Sequence, residues 1–265
     1  MATRIIAEVG ANHGGDLGLA CEMIVAAAEA GADFVKFQSW RVSTLRPGDP
    51  AHERHAPAEL SDDDHAALIE ECERCGISFL TTCFDHERAD FLAGLGLTHI
   101  KVASPDVGST RMISILAERF PHLIVSTGMA PDEEVIAAAE TLAGKDFTML
   151  HCVSLYPTPT ERVNMARMDW LRTLAPRVGF SDHTMGTEAA KLAIARGASI
   201  VEKHFTIDRG LPGKDQAVSA LPFEIREIVA YAEAVETMMG TEHPGLSEME
   251  EEMREIYIGK WGDNR

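Results

Sequence analysis

Short apolar runs alternate with helical patterns along the chain. The first run, residues 4–9, is followed by a Gly/Asn-rich turn and a helical pattern over residues 17–30. This order of strand, turn and helix occurs eight times. The remaining predicted strands cover residues 34–38, 78–82, 98–103, 122–126, 147–152, 177–181 and 200–205.

The predicted strands are continuously hydrophobic, which is typical of parallel strands buried on both faces. Eight such units in 265 residues predict an α/β fold, the closed (β/α)8 TIM barrel, rather than a doubly wound sheet. Residues from about 241 onwards read as a terminal helix and tail. We therefore expect residues 1–265 to form a single TIM-barrel catalytic domain.

One connection, residues 39–60, is much longer than the others. It contains three prolines, Pro47, Pro50 and Pro57, and three arginines, Arg41, Arg46 and Arg54. Connections of this length in a compact domain are usually functional or mobile. We regard it as a candidate substrate-covering loop, with a mobile connection as the alternative.

The overall charge excludes some partners. A formal net charge of -18 argues against nucleic acid, which needs a basic surface. The chain shows neither a signal-peptide pattern nor an apolar run long enough to cross a membrane. The five cysteines are scattered and odd in number, as expected for reduced thiols. These features predict a cytoplasmic protein that acts on small molecules.

Polar residues close the apolar runs, and in such barrels the active site forms at the carboxyl ends of the strands. These side chains are therefore the candidates for function. In strand order they are Glu8; Lys36 and Gln38; Thr81 and Thr82; Lys101, Ser104 and Asp106; Ser126 and Thr127; His151, Ser154 and Tyr156; Ser181, Asp182 and His183; and Glu202, Lys203 and His204.

Lys36 and Lys101 lie within apolar runs, where an unpaired lysine is unusual. Two lysines directed into one barrel mouth indicate an anionic ligand, a phosphate or a carboxylate. The alternatives are structural pairing with Glu8 or Glu202, outward snorkelling, and a Schiff-base role for one lysine.

His183 and His204 close neighbouring strands, each beside a carboxylate. Two adjacent imidazoles with oxygen ligands suit a divalent metal such as manganese or zinc, whereas a lone strand-end histidine is more often a structural hydrogen-bonding group. Asp215 ends a glycine-containing loop after the last strand and is a candidate for holding sugar hydroxyls.

Seven segments, in order along the chain, resemble the motifs of the sialic acid synthase family, which includes N-acetylneuraminate, legionaminate and pseudaminate synthases. The segments are IAEVGANHGGD (6–16), VKFQ (35–38), KVAS (101–104), STGM (126–129), LYPTP (155–159), GFSDHT (179–184) and EKHFT (202–206).

The resemblance implies a TIM barrel that condenses phosphoenolpyruvate with the open-chain aldehyde of an amino sugar, similar to N-acetylmannosamine, to give a 2-keto-3-deoxy sugar acid and phosphate. It implies a divalent metal at His183 and His204, manganese or else magnesium. By the same resemblance Glu8, Gln38, Asp106, Tyr156 and Asp215 contact the acceptor or activate water. The positions implied for phosphoenolpyruvate are Lys36, Thr82, Lys101, Ser104, Ser126 and Ser181.

The chain departs from the family pattern mainly on the acceptor side. It ends without the C-terminal antifreeze-like domain expected of the family. We therefore expect that Arg41, Arg46 or a separate protein binds the acyl end of the acceptor, or that the acceptor is not an N-acetyl hexosamine. Asp106 stands where the family commonly has glutamate, and Leu155 where it has asparagine. Because relatives dimerise partly through that domain, a homodimer is a weaker expectation than the fold.

Two alternative functions remain from the sequence. One is a Schiff-base aldolase or lyase on the same barrel, using Lys36 or Lys101. The other is a non-catalytic barrel that binds a sugar phosphate, which the absence of the expected C-terminal domain favours and the retained lysines and histidines disfavour.

Overall fold

The computed structural model describes residues 2–46, 48–49, 52–240 and 245–262, without the side chain of residue 54. Eight parallel strands close into a barrel in the order β1 to β8, which confirms the predicted TIM barrel. The strands are β1 Arg4–Gly10, β2 Phe34–Ser39, β3 Ser78–Cys83, β4 His99–Val102, β5 His122–Ser126, β6 Asp146–Cys152, β7 Arg177–Asp182 and β8 Ile200–His204.

Helices follow the strands along the chain, and most of them pack on the outside of the barrel. They are α1 Leu17–Glu29, α2 His52–His55, α3 Asp62–Cys75, α4 His86–Gly94, α5 Thr110–Arg119, α6 Asp132–Thr141, α7 Arg167–Leu171, α8 Glu188–Ala195, α9 Pro222–Met239 and α10 Glu248–Tyr257.

Helix α3 shows how local sequence sets helix ends. Ser61 and Asp64 form a reciprocal capping box at its start, and Gly76 ends it with φ of 70°. Helix α7 is shorter than the predicted residues 165–174, because Pro176 follows closely and Asn164 has a φ of 47°, which is non-helical.

The barrel interior is arranged in layers because every second residue of a strand points inwards. A middle apolar layer consists of Ile6, Phe34, Leu80, Ile124, Leu150 and Ile200. The residues two positions later on five of these strands carry functional groups: Glu8, Lys36, Thr82, Ser126 and Glu202. The apolar layer is therefore the floor beneath these side chains, and a larger apolar cluster packs the strands against the helices.

The long connection after β2 is partly ordered against the barrel. Trp40, Val42 and Ala58 form a small buried cluster, and helix α2 lies between them in sequence. Arg41 forms ion pairs with Glu59 and Asp62. Residues 47, 50 and 51, which include two of the prolines noted above, lie outside the described part of the chain. The substrate-covering role of this loop stays a prediction.

The expected terminal helix is present as α10, and all of its residues are exposed. Residues 241–244, where the tail was expected to begin, lie outside the described ranges, so the assignment of one domain to residues 1–265 stays a prediction. Across the described ranges, no helix has the length and hydrophobicity needed to span a membrane.

Candidate active site

A cavity of about 160 Å³ opens at the carboxyl ends of the strands. It lies above the apolar layer, where the fold brings together residues from β1 to β8. Its polar and aromatic lining is Glu8, Lys36, Gln38, Thr82, Lys101, Ser104, Ser126, Cys152, Ser154, Tyr156, Ser181, His183, Glu202 and His204.

Lys36 is buried and held by three side chains. Its Nζ lies 2.8 Å from Glu8 Oε2 and 3.8 Å from Glu202 Oε2, and it donates a hydrogen bond of 3.0 Å to Thr82 Oγ1. Burial lowers the pKa of Lys36, but the carboxylates of Glu202 and Glu8 outweigh this effect and raise it. Lys36 is therefore a fixed cation.

Lys101, in β4, is the second buried lysine that lines the cavity. Its Nζ donates to Ser126 Oγ at 2.6 Å and to the Val102 carbonyl at 3.1 Å, and lies 3.8 Å from Glu202 Oε1. Here burial dominates over Glu202 and lowers the pKa of the ammonium group. Lys101 is thus the less strongly stabilised cation of the two.

The negative charges of two carboxylates, from Glu202 and Glu8, balance the positive charges of the two lysines. Glu202 accepts a hydrogen bond of 2.9 Å from Ser181 Oγ. Burial raises the pKa of Glu202, but Lys101 and Lys36 together lower it to about 2. The pKa of Glu8 is raised by burial, against the opposing effect of Lys36, and Gln38 Nε2 donates to its Oε1 at 2.8 Å. The structural pairing considered from the sequence is therefore present, inside the cavity itself.

His183 and His204 lie side by side, with ring centroids 5.3 Å apart. His183 Nδ1 lies 3.0 Å from the Val153 carbonyl, which orients its ring. Nδ1 of His204 is buried and has no hydrogen-bond partner among the residues that the structure describes. The ring of Tyr156 packs against both, at 4.2 Å from His183 and 5.8 Å from His204.

His183 and His204 are the two predicted metal ligands, and the structure places them side by side in the cavity. Across residues 2–46, 48–49, 52–240 and 245–262, no group of three or more His, Cys, Asp or Glu side chains is arranged to hold a metal ion. A divalent ion here would have two imidazole ligands from these ranges, whereas catalytic zinc sites have three protein ligands and one open position. The metal role of the two histidines stays a prediction.

Thirteen residues have a catalytic, substrate-binding or metal role predicted from the sequence; eleven of them line the cavity, and Asp106 and Asp215 do not. The further strand-end candidates outside its lining are Thr81, Thr127, His151, Asp182 and Lys203. Asp106 lies in a 3₁₀ turn, Ser104–Asp106, and lines a separate surface depression with Phe84; burial raises the pKa of its carboxyl group. Asp215 precedes another 3₁₀ turn, Gln216–Val218, and is also outside the cavity lining.

Two cavity residues are more central to the site than the sequence indicates. Glu202 was a strand-end candidate and a pairing partner considered for the lysines, and in the structure it lies 3.8 Å from both of them. The alternation of β8 could have revealed it, because Ile200, Glu202 and His204 share one face. Cys152 lies 3.7 Å from His183 Nδ1 and ends an apolar strand, where nothing in the sequence distinguishes it from a core residue.

Known proteins resemble this chain over most of its length. The NeuB family model matches residues 23–244. N,N'-diacetyllegionaminic acid synthase of Legionella pneumophila is 37% identical over 267 residues, covering 91% of this chain and 74% of that protein. Human N-acetylneuraminate-9-phosphate synthase is 31% identical, covering 89% of this chain and 71% of that protein.

A solved structure agrees with these sequence matches. N-acetylneuraminic acid synthetase from Leptospira borgpetersenii, in complex with citrate, superposes with a TM-score of 0.90 at 33% identity and covers 97% of this chain and 91% of that chain. The family expected from the sequence motifs is confirmed: the chain is an enzyme of the NeuB family, related to the synthases of sialic-acid-type sugars.

Proposed function

We propose that this enzyme condenses phosphoenolpyruvate with the open-chain aldehyde of an N-acylated amino sugar, giving a 2-keto-3-deoxy sugar acid and inorganic phosphate. The observation that carries the proposal is the presence of two buried lysines and two adjacent imidazoles in one cavity. The names of the relatives, which are synthases of sialic-acid-type sugars, support the same reaction class.

Lys36 and Lys101 would bind the phosphate and carboxylate groups of phosphoenolpyruvate. A lysine has three N–H donors, and Lys36 directs two of them at Glu8 and Thr82. Lys101 likewise uses two on Ser126 and the Val102 carbonyl. Each ammonium group keeps a donor for the substrate, while its internal contacts fix its position before binding. Ser104 and Ser181, which also line the cavity, would add hydroxyl groups.

His183 and His204 would hold a divalent ion, manganese or magnesium, which when bound supplies a Lewis acid for the aldehyde oxygen. Glu8 would orient the water that attacks the condensing centre and accept its proton. The raised pKa of Glu8 suits a base that must take up a proton near neutral pH. Gln38, which donates to Glu8, would keep the carboxylate facing the cavity.

The rim of the cavity supports an acylated acceptor. Met129 and Tyr156 line it and remain 69% and 45% exposed, and the neighbouring Leu155 is 48% exposed. Apolar side chains at the mouth favour a sugar with methyl-bearing substituents over a fully hydroxylated one. Asp106 and Asp215, outside the lining, would reach the acceptor only from its periphery. A homodimer and a cytoplasmic location stay predictions.

The test is a screen of aldoses with phosphoenolpyruvate and manganese, followed by phosphate release and product mass. We expect phosphate release with an N-acylated amino sugar, its loss on adding excess chelator, and its loss in His204→Ala. His86→Ala, a change at an exposed histidine at the start of α4 and outside the cavity lining, is the matched control and should keep full activity. Full activity of the parent enzyme in excess chelator would contradict the metal role.

One observation supports a second candidate, a Schiff-base aldolase. Burial lowers the pKa of Lys101, and a lowered pKa is what activates a lysine amine for attack on a carbonyl. Borohydride reduction in the presence of pyruvate would trap such an adduct, visible as added mass on Lys101. We expect no adduct, because Lys101 is 3.8 Å from the anionic Glu202, which favours its charged form.

A further inference from the structure

A second polar layer closes the opposite, amino-terminal end of the barrel. Arg4 begins β1, His99 begins β4, His122 begins β5 and Arg177 begins β7. Together with Asp146, these residues line a cavity of about 150 Å³. This is room for about five water molecules at roughly 30 Å³ each. The apolar middle layer separates this amino-terminal cavity from the candidate active site.

The amino-terminal cavity is positively charged in an otherwise acidic protein. The chain has 24 Lys and Arg against 42 Asp and Glu, yet this cavity holds two arginines and one carboxylate. That carboxylate, Asp146, is already engaged: Arg177 forms an ion pair with it, and its Oδ2 lies 3.0 Å from His122 Nδ1. The charge of Arg4 is left without a carboxylate in the cavity lining.

Some hydrogen-bond donors around this cavity also lack an acceptor within the described part of the chain. The guanidinium of Arg4 packs at 5.6 Å from the Phe34 ring and has no hydrogen-bond acceptor within the described ranges. Nδ1 of His99 lies 2.8 Å from Thr98 Oγ1, and its Nε2 has no partner in the same part of the chain. A further donor is available from Arg177, because a guanidinium carries five N–H groups in a fixed fork.

The protonation state of His99 and His122 is compatible with anion binding by the two arginines. Burial, together with Arg4 and Arg177 and, for His99, its neighbour His122, lowers the pKa of both imidazoles to about 4. Near neutral pH they are uncharged. A bound anion would be held by the arginines, with a neutral imidazole N–H as an additional donor.

We infer that the amino-terminal cavity is a second ligand site, which binds a small tetrahedral oxyanion of the phosphate or sulfate type between Arg4 and Arg177. The tetrahedral shape presents several acceptor oxygens to donors on different strands, and the cavity has room for the anion head group. The competing explanation is that the cluster only closes the barrel end through the contacts of Asp146 with Arg177 and His122.

Arg4 separates the two explanations. It is exposed and takes no part in the Asp146 contacts, so Arg4→Gln removes a cationic donor and leaves the closing network intact. Arg254→Gln, on the exposed helix α10, removes one positive charge elsewhere and is the matched control.

The first measurement locates the anion. Crystals grown without oxyanions are soaked in selenate, and anomalous scattering shows where the ion binds, whatever occupies the active site. The second measures affinity by calorimetric titration with sulfate, inorganic phosphate and glycerol 3-phosphate. Comparison of the last two distinguishes free phosphate from the phosphate group of a metabolite.

We expect a selenate peak within hydrogen-bonding distance of Arg4 and Arg177. We also expect Arg4→Gln to weaken anion binding at this site about tenfold, as for the loss of one charge-assisted hydrogen bond, while Arg254→Gln binds like the parent. Absence of the peak, or equal binding by Arg4→Gln and the parent, would overturn the proposal. A peak in the crystal with no binding in solution would indicate an adventitious ion only and would overturn it as well.

Discussion

Lys203 and Asp182 form a buried ion pair, with Nζ 2.8 Å from Oδ2, that joins the two strands carrying the candidate metal ligands. Lys203 also donates to the Thr184 carbonyl at 2.8 Å, and Asp182 Oδ1 accepts from the Thr184 amide at 2.8 Å. These contacts hold residues 182 and 184, the two sequence neighbours of His183. The pair faces away from the cavity, and its role is to fix the backbone that presents His183.

Breaking this pair is expected to cost much more stability than breaking a surface pair. Lys203→Met leaves Asp182 charged and buried, which should lower the free energy of unfolding by about 3–5 kcal/mol. Lys191→Met, which breaks the exposed pair with Glu227, is the matched control and should cost at most about 1 kcal/mol. Urea unfolding of the three proteins measures both values. Equal losses of unfolding free energy in Lys203→Met and Lys191→Met would contradict the structural role of the buried pair.

The positions of the charged residues also show what the sequence could predict. The alternation of strands places Lys36, Ser126 and Glu202 two residues beyond apolar floor residues, so the cavity could be anticipated from the pattern. The pairing of the lysines with Glu8 or Glu202 could be considered only as one alternative, because the contact between Lys36 and Glu202 joins β2 to β8, two strands far apart in sequence. Such contacts depend on barrel closure rather than on local sequence.

Loops after the strands were predicted less well, and the reason is local geometry. The sequence predicts Asp106 and Asp215 as acceptor contacts, and this stays a prediction: Asp106 ends a 3₁₀ turn and Asp215 precedes one, and neither lines the cavity. Regular strands have a fixed period that determines side-chain direction, whereas each turn has its own backbone angles. The period of the strands therefore places the strand residues of the site, whereas the loop residues Ser104, Tyr156 and His183 could be placed only through the motifs that contain them.

Lys36 is expected to contribute more to catalysis than to binding of the acceptor. Lys36→Met removes a fixed cation beside Glu8, and kcat/KM should fall by about 10²–10³, as for the loss of one preorganised charge contact. Lys214→Met, in the loop after β8 and exposed, should leave kcat/KM near that of the parent. Phosphate release under varied phosphoenolpyruvate gives both values. A loss confined to the KM of the sugar would mean that Lys36 binds the sugar and not phosphoenolpyruvate.

Stability should fall on mild acidification because buried histidines stay neutral in the folded protein. His65 has a pKa lowered to about 4, chiefly by burial, with Arg88 adding to the effect. His13, His99 and His122 are lowered to about 4 as well. Between about pH 6.5 and 4 the unfolded chain binds protons that the folded chain does not, so stability decreases as pH falls through this range.

The contribution of one histidine can be isolated by substitution. His65→Gln should flatten the dependence of unfolding free energy on pH between 6.5 and 4 by about 1.4 kcal/mol per pH unit, the value for one proton. His52→Gln, at an exposed histidine, should leave the slope unchanged. Urea titrations at several pH values measure the slopes. An unchanged slope in His65→Gln would mean that this side chain titrates normally in the folded protein.

Gly128 has no side chain, and three side chains of the cavity wall, those of Ser104, Cys152 and Ser154, lie close to where its Cβ would be. A Cβ at this position would lie 2.4 Å from Ser154 Oγ, 2.9 Å from Ser104 Oγ and 3.0 Å from Cys152 Sγ. Gly128→Ala should therefore displace these side chains, costing about 1–3 kcal/mol of stability through overpacking. Misplacement of site residues by about 1 Å should reduce kcat/KM by about 10².

Gly94, at the end of helix α4, is the matched control because a Cβ there meets no atom within 4 Å. Gly94→Ala should keep full activity and raise the free energy of unfolding by up to about 1 kcal/mol, since alanine is the better helix former. Phosphate release and urea unfolding of both variants give the comparison. If Gly128→Ala were as active as Gly94→Ala, the wall formed by Ser104, Cys152 and Ser154 would not be in contact with the reacting substrates.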